Sequence, residues 1–181
     1  MTNQTQLRPA NPFANEPGYF PATRLWFYGN IYVLKTQLAY VPAALGPDCR
    51  TPLELDRIAS DAEHAVLNGD VLVCGVHNDA HRRAAIVPLR WGSPRIIVLS
   101  GGFRHHLGED LRSEPFRAAK LWRYEFDPLT DLAVSRRPPA SKATFALHNP
   151  TIDRLIADLA EGRVEGLCGI CNPYPPILRE E

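Results

Sequence analysis

A three-layer α/β domain with a mostly parallel sheet is the fold that the sequence predicts, on three observations. Short, continuous apolar runs at Val71–Cys74 and Arg95–Leu99 suit strands covered on both faces. Segments of helical periodicity alternate with such runs along the chain. Glycines follow the runs, as at Gly75 and Gly101-Gly102.

Taken in order, residues 1–23 are polar and proline-rich and predict an extended tail. Arg24–Leu34 is aromatic and apolar around the Gly29-Asn30 turn signal, and predicts a segment packed on the core through Trp26, Phe27 and Leu34. Leu38–Ala44 predicts a short strand, stopped by Gly46-Pro47. Thr51-Pro52 opens a helix with Thr51 as cap and Glu54 and Asp56 in the first turn; Leu55, Ile58, Ala62, Ala65 and Val66 form its apolar stripe. A helix is predicted over Asp79–Leu89, another over Glu114–Lys120, and a fourth strand over Leu121–Phe126. The span Leu129–Ala143 predicts a long loop. Asn149 caps a helix entered at Pro150, and Val164–Ile170 predicts a last strand. The domain is thus expected over residues 24–171, with a tail at 172–181.

Lys plus Arg and Asp plus Glu number 20 each, so the surface as a whole is not built to coat nucleic acid, although a local basic patch is compatible. No apolar run reaches membrane-spanning length, and the start of the chain lacks the order of a secretion signal, so a cytoplasmic location is expected and no membrane partner. Cys74 lies in an apolar run and predicts an inert buried thiol. Cys168 and Cys171 have CxxC spacing but no second pair to complete a zinc site.

In an open parallel sheet, ligands bind beyond the carboxyl ends of the strands. That rule gathers two glycine loops, Gly75-Val76-His77-Asn78 and Ser100-Gly101-Gly102-Phe103, on one edge. Gly75, His77, Asn78, His81, Arg82 and Arg83 on the first, and Gly101, Gly102 and Arg104 on the second, read as donors for a phosphate. Lys142, His148 and Asn149, with Arg136 and Arg137, extend the basic surface. Phe103, Phe145 and Trp91 are candidate stacking residues for a single strand. If the histidines hold the anion, affinity should rise as pH drops through about 6.5. His77, His81, His105 and His106 raise the question of a metal, but Arg82 and Arg83 beside His81 are a poor setting for a cation, so no metal and no cofactor are expected. GxGxxG, GxxxxGKS and GxSxG are absent, and no catalytic set stands out in the two loops.

Phe27-Tyr28-Gly29-Asn30-Ile31-Tyr32-Val33-Leu34, Ala80-His81-Arg82-Arg83-Ala84, the run IIVLSGGF, and Pro138-Pro139 followed by Phe145–Ile152 come in an order that resembles the Smf/DprA family of DNA-processing proteins. The resemblance runs from Leu25 to Ala160 and implies a Rossmann-like core that binds single-stranded DNA or a nucleotide without chemistry of its own; cores of this family often pair as homodimers. The chain departs from the family pattern in three places. Pro42-Ala43-Ala44-Leu45-Gly46 stands where the family has Gly-Ser-Arg, Val76-His77-Asn78-Asp79 replaces Gly-Ile-Asp, and His148 replaces an arginine. Two other readings stay open: a nucleotide-binding sensor or nucleotide-processing enzyme of the same superfamily, and a structural domain that has lost its ligand.

Overall fold

The computed structural model describes residues 11–47, 50–143 and 149–170. Six strands form one sheet: β1 (Gly18–Phe20), β2 (Leu25–Gly29), β3 (Leu38–Ala39), β4 (Val71–Gly75), β5 (Arg95–Leu99) and β6 (Leu132–Ser135). Their spatial order is β1-β2-β6-β5-β4-β3. β3 to β6 pair in parallel, whereas β1 and β2 add an antiparallel flap against β6.

Alternation along the strands divides the core. Leu72, Cys74, Ile97, Leu99 and Ala133 face one side, where α1 (Pro52–Leu67), α2 (Asp79–Ala85), α3 (Val87–Trp91), α4 (Phe103–Leu107) and α5 (Arg117–Leu121) lie. Val71, Val73, Ile96, Val98, Leu132 and Val134 face the other, covered by α6 (Pro150–Ala160) and α7 (Leu167–Ile170). This is the predicted three-layer architecture. Each fully buried Leu, Ile or Val contributes about 1.5–3 kcal/mol. Burial pushes the Cys74 thiol up to about 12, which leaves it inert at neutral pH.

Local rules explain the elements. Thr51 and Glu54 close a reciprocal capping box on α1, with Pro52 in its first turn. Pro88 in the first turn of α3 stops α2 near Ile86, so the single helix expected over Asp79–Leu89 is two. Gly29 has φ +111°, and a Cβ there would lie 2.2 Å from the Asp131 carbonyl. The neighbouring Asn30 donates its backbone N–H to that carbonyl (2.8 Å) and caps a 3-10 turn at Tyr32. The aromatic-Gly-Asn run therefore locks β2 onto the start of β6.

Several boundaries differ from expectation. The fourth parallel strand is Leu132–Ser135, inside the span expected as a loop; it pairs with β5 and is fully buried. Leu121–Phe126 is instead the end of α5 and a turn, with one bridge from Ser113 to Glu125; Leu121, Trp122 and Tyr124 are exposed. Helix α5 starts at Arg117, because Glu114 is drawn into the core by Arg95. Leu167–Ile170 is helical, not a strand. Strand β3 is only two residues, and Pro42–Ala44 is a 3-10 turn, since Pro42 cannot donate to a ladder. Within the segment expected as a tail, Phe13 is buried against Phe27 and β1 pairs with β2. Residues 172–181 lie outside the described residues.

Candidate functional site

The loops after β3, β4, β5 and β6 all open on the carboxyl edge of the parallel sheet. Helix α6 starts at that edge too. The chain changes face after β6, and α6 runs back beneath β5, β4 and β3. Its first turn thereby meets the loop after β4.

Asp153, in that first turn, is the centre of the site. His77 Nε2 lies 3.0 Å and His81 Nε2 3.1 Å from its Oδ1. The Gly46 backbone N–H donates to Oδ2 at 2.9 Å. Burial pulls the Asp153 carboxyl upward, but the two imidazole hydrogen bonds and the Gly46 N–H outweigh it and hold the group well below the usual carboxylate range. His81 moves the opposite way to a surface histidine. Burial pushes its pKa below the ordinary value, against the pull of Asp153 and with the help of the nearby His77. At neutral pH the carboxylate is charged and the His81 ring is neutral. The two rings sit 4.6 Å apart, and His77 Nδ1 is buried with no hydrogen-bond partner among the described residues.

Local sequence explains how these groups meet. Asn78 caps α2 by accepting the His81 N–H at 2.8 Å, so His77 precedes the helix and His81 lies one turn in, on the same side. Gly75 is required because a Cβ there would be 2.7 Å from His77 Nδ1 and 3.1 Å from Ile156. Its missing side chain makes room for an imidazole of this chain. Asn149 caps α6 through the Ile152 N–H, which fixes the first turn that carries Asp153.

The second glycine loop is arranged differently. Gly101 and Gly102 share the carboxyl edge with Gly75, but the 138–143 segment lies on them. The Gly102 N–H donates to Ser141 O at 2.8 Å and the Arg104 N–H to Pro139 O at 3.0 Å. A Cβ on Gly102 would lie 2.3 Å from the Pro139 carbonyl. These amides are already satisfied within the chain, so they are not free donors at the edge.

The basic residues also separate. Arg82 pairs with Asp79 (3.1 Å) and Arg83 with Asp56 (2.6 Å), while Arg104 reaches Glu109 at 3.9 Å. Arg137 Nη1 donates to the Lys142 carbonyl at 3.5 Å, and the Lys142 side chain is exposed. Arg136 and Arg154 are exposed and make no ion pair among the described residues; with Pro150 and Thr151 they line an open recess beside the start of α6. His148 and Phe145 lie outside the described residues. Phe103 is fully buried beside Tyr28 and cannot stack on a base. Trp91 is half exposed at the end of α3, tied to Glu63. The expected gain in anion affinity on histidine protonation loses two of its groups, since burial lowers both His81 and His106, the latter to about 4.

Sequence reasoning missed Asp153 and Gly46. The one signal for Asp153 was an acid beside the Ile152, Leu155, Ile156 stripe in a helix's first turn, which reads equally as a dipole partner. Only the return of α6 under β4 brings it to the histidines.

No protein-family model and no curated protein sequence matches this chain. Among solved structures, the X-ray structure of DNA processing protein A (DprA) from Streptococcus pneumoniae is similar, with a TM-score of 0.54 and 21% identity. The match covers 75% of this chain and 43% of that one, so the chain spans less than half of the DprA chain's length. The class that fold and comparison define is an α/β domain of DprA-like, Rossmann-like architecture. Among the described residues, no helix is long and apolar enough to cross a membrane.

Proposed function

We propose that this chain is a DprA-like binding module for phosphate-bearing ligands, with single-stranded DNA as the ligand and DNA processing or recombination as the setting. It works by binding, without turnover. The observation that carries this reading is the recess at the carboxyl edge, where Arg136 and Arg154 flank the first turn of α6 with no acidic partner among the described residues. Exposed guanidinium groups left unpaired beside a helix N-terminus suit a phosphate. The DprA-like fold supports the same choice of edge. Arg82, Arg104, Arg137 and Lys142 would extend the path along the edge, though the first two share their charge with neighbouring acids.

Fluorescence anisotropy of a labelled oligonucleotide, titrated at two salt concentrations, tests this directly. Replacing Arg136 and Arg154 by Ala should weaken binding and flatten its salt dependence, by about 0.7 in log–log slope per lost phosphate contact. Replacing Arg83, which is paired with Asp56, should change little. Equal binding by wild type and the Arg136/Arg154 variant would remove the recess from the function. Tight mononucleotide binding with no DNA binding would favour the nucleotide-sensor reading.

A further inference from the structure

We propose that His77, His81 and Asp153 form a binding site for a borderline divalent cation, with Zn²⁺ the best fit. The three side chains each offer one ligand atom, and these atoms lie within 4.8 Å of one another. Two imidazole nitrogens and one carboxylate oxygen are a donor set that zinc and its neighbours favour over calcium or magnesium. Zinc bonds of about 2.0–2.2 Å at tetrahedral angles require donor atoms about 3.3 Å apart. The two imidazole nitrogens already stand 3.0 and 3.1 Å from Asp153 Oδ1. The two N–O separations need to open by only a few tenths of an ångström, and all three atoms already lie within 4.8 Å of one another.

Two further observations point the same way, and one sets a limit on affinity. The carboxylate is oriented from behind: the Gly46 N–H holds Oδ2, which leaves Oδ1 toward the histidines, as the outer partners of metal ligands do. The arginines that argued against a cation are neutralised locally, Arg82 by Asp79 and Arg83 by Asp56. The limit is set by the outer nitrogen of His77. Two rings converge on one oxygen while His77 Nδ1 stays buried without a partner among the described residues. A cation changes which nitrogens carry protons. Each neutral ring presents its Nε2 lone pair to the metal and keeps its proton on Nδ1. His77 Nδ1–H then has no acceptor, and the ring is held by its fit over Gly75 instead of by a hydrogen bond. The affinity is therefore expected to fall below that of closed four-ligand zinc sites.

The site joins α2, from one face of the sheet, to α6, from the other. A bound ion would staple the two layers, and three protein ligands leave one position for water.

The test uses the full chain with Cys168→Ser and Cys171→Ser, so that thiolates do not compete. Metal-stripped protein is titrated with Co²⁺ and followed by its visible absorption bands, then with Zn²⁺ by calorimetry and thermal melting. One ion per chain, displacement of Co²⁺ by Zn²⁺ and a rise in Tm are expected. Asp153→Asn and His81→Gln should each weaken binding at least tenfold, whereas His105→Gln with His106→Gln should not. Circular dichroism of each apo variant checks folding. A measurement on the unsubstituted histidines avoids that concern altogether: Zn²⁺ should move the ¹⁵N shifts of the His77 and His81 ring nitrogens. No binding by the stripped protein, binding unchanged in folded Asp153→Asn, or ring shifts unmoved by Zn²⁺ would each overturn the proposal.

Discussion

Two buried polar clusters sit at opposite edges of the same parallel sheet, and they are built to different standards. At the amino edge, Arg95 at the start of β5 meets Glu114 through both terminal nitrogens (3.2 and 2.5 Å) and Asp131 through Nε (3.1 Å). Nη1 also donates to the Ala85 carbonyl at 3.1 Å, and the guanidinium lies over Phe116. The three side chains are almost wholly excluded from water. Burial pulls the Arg95 pKa down, but Asp131 and Glu114 more than offset it and the group stays charged. Burial raises the Asp131 carboxyl to about 6, against the opposing pull of Arg95. At the carboxyl edge, two histidines share one oxygen of Asp153, and a ring nitrogen is left over. A closed network specifies a fold; the other cluster, placed where such sheets bind ligands, leaves one polar atom unmet among the described residues.

That contrast is broken most severely from the amino edge. Glu114→Ala leaves the Arg95 charge buried with half its partners and should cost about 3–5 kcal/mol in denaturant unfolding. Asp153→Asn should cost less, about 1–3 kcal/mol, because the amide still accepts a hydrogen bond and the site lies nearer to water. If Asp153→Asn proved the more damaging of the two, the carboxyl-edge cluster would be the structural one.

Acid sharpens the comparison next. Burial, and then the neighbouring His105, lower the His106 pKa from its usual 6.5 to about 4. A depressed pKa contributes stability that is present above 6.5 and lost as pH falls toward 4. At 1.4 kcal/mol per unit, discounted for its partial exposure, His106 should account for on the order of 2 kcal/mol of acid destabilisation in that window. His106→Gln should flatten the measured stability between pH 6.5 and 4. An equally steep loss in the variant would assign the effect to other groups.

The fold was legible wherever a local rule acted alone. Thr51-Pro52 with Glu54 marked α1, the apolar runs marked β4 and β5, and Asn149-Pro150 marked α6. It was illegible where tertiary partners decided. Leu132–Ser135 is only four residues in a polar stretch, and its place between β2 and β5 is what makes it a strand. Leu121–Phe126 has strand composition, yet three of its large side chains stay exposed. The glycine loops were placed on the right edge, but sequence could not show that one is filled by His77 and the other covered by Pro138–Ser141. His77 and His81 were visible as candidate phosphate donors; that both hydrogen-bond Asp153 was not, since Asp153 arrives from the opposite layer.

The smallest effect on stability belongs to the recess. Arg136→Ala with Arg154→Ala should leave the unfolding free energy within about 0.5 kcal/mol of wild type, as exposed changes usually do, while weakening oligonucleotide binding. The division of labour between the edges is tested most directly by amide chemical-shift mapping on titration with a short single-stranded oligonucleotide. The predicted shifts gather on 76–82, 136–137 and 149–154, at the carboxyl edge, and leave Arg95, Glu114 and Asp131 still. Shifts centred on the amino edge, or none at saturating oligonucleotide, would contradict the account.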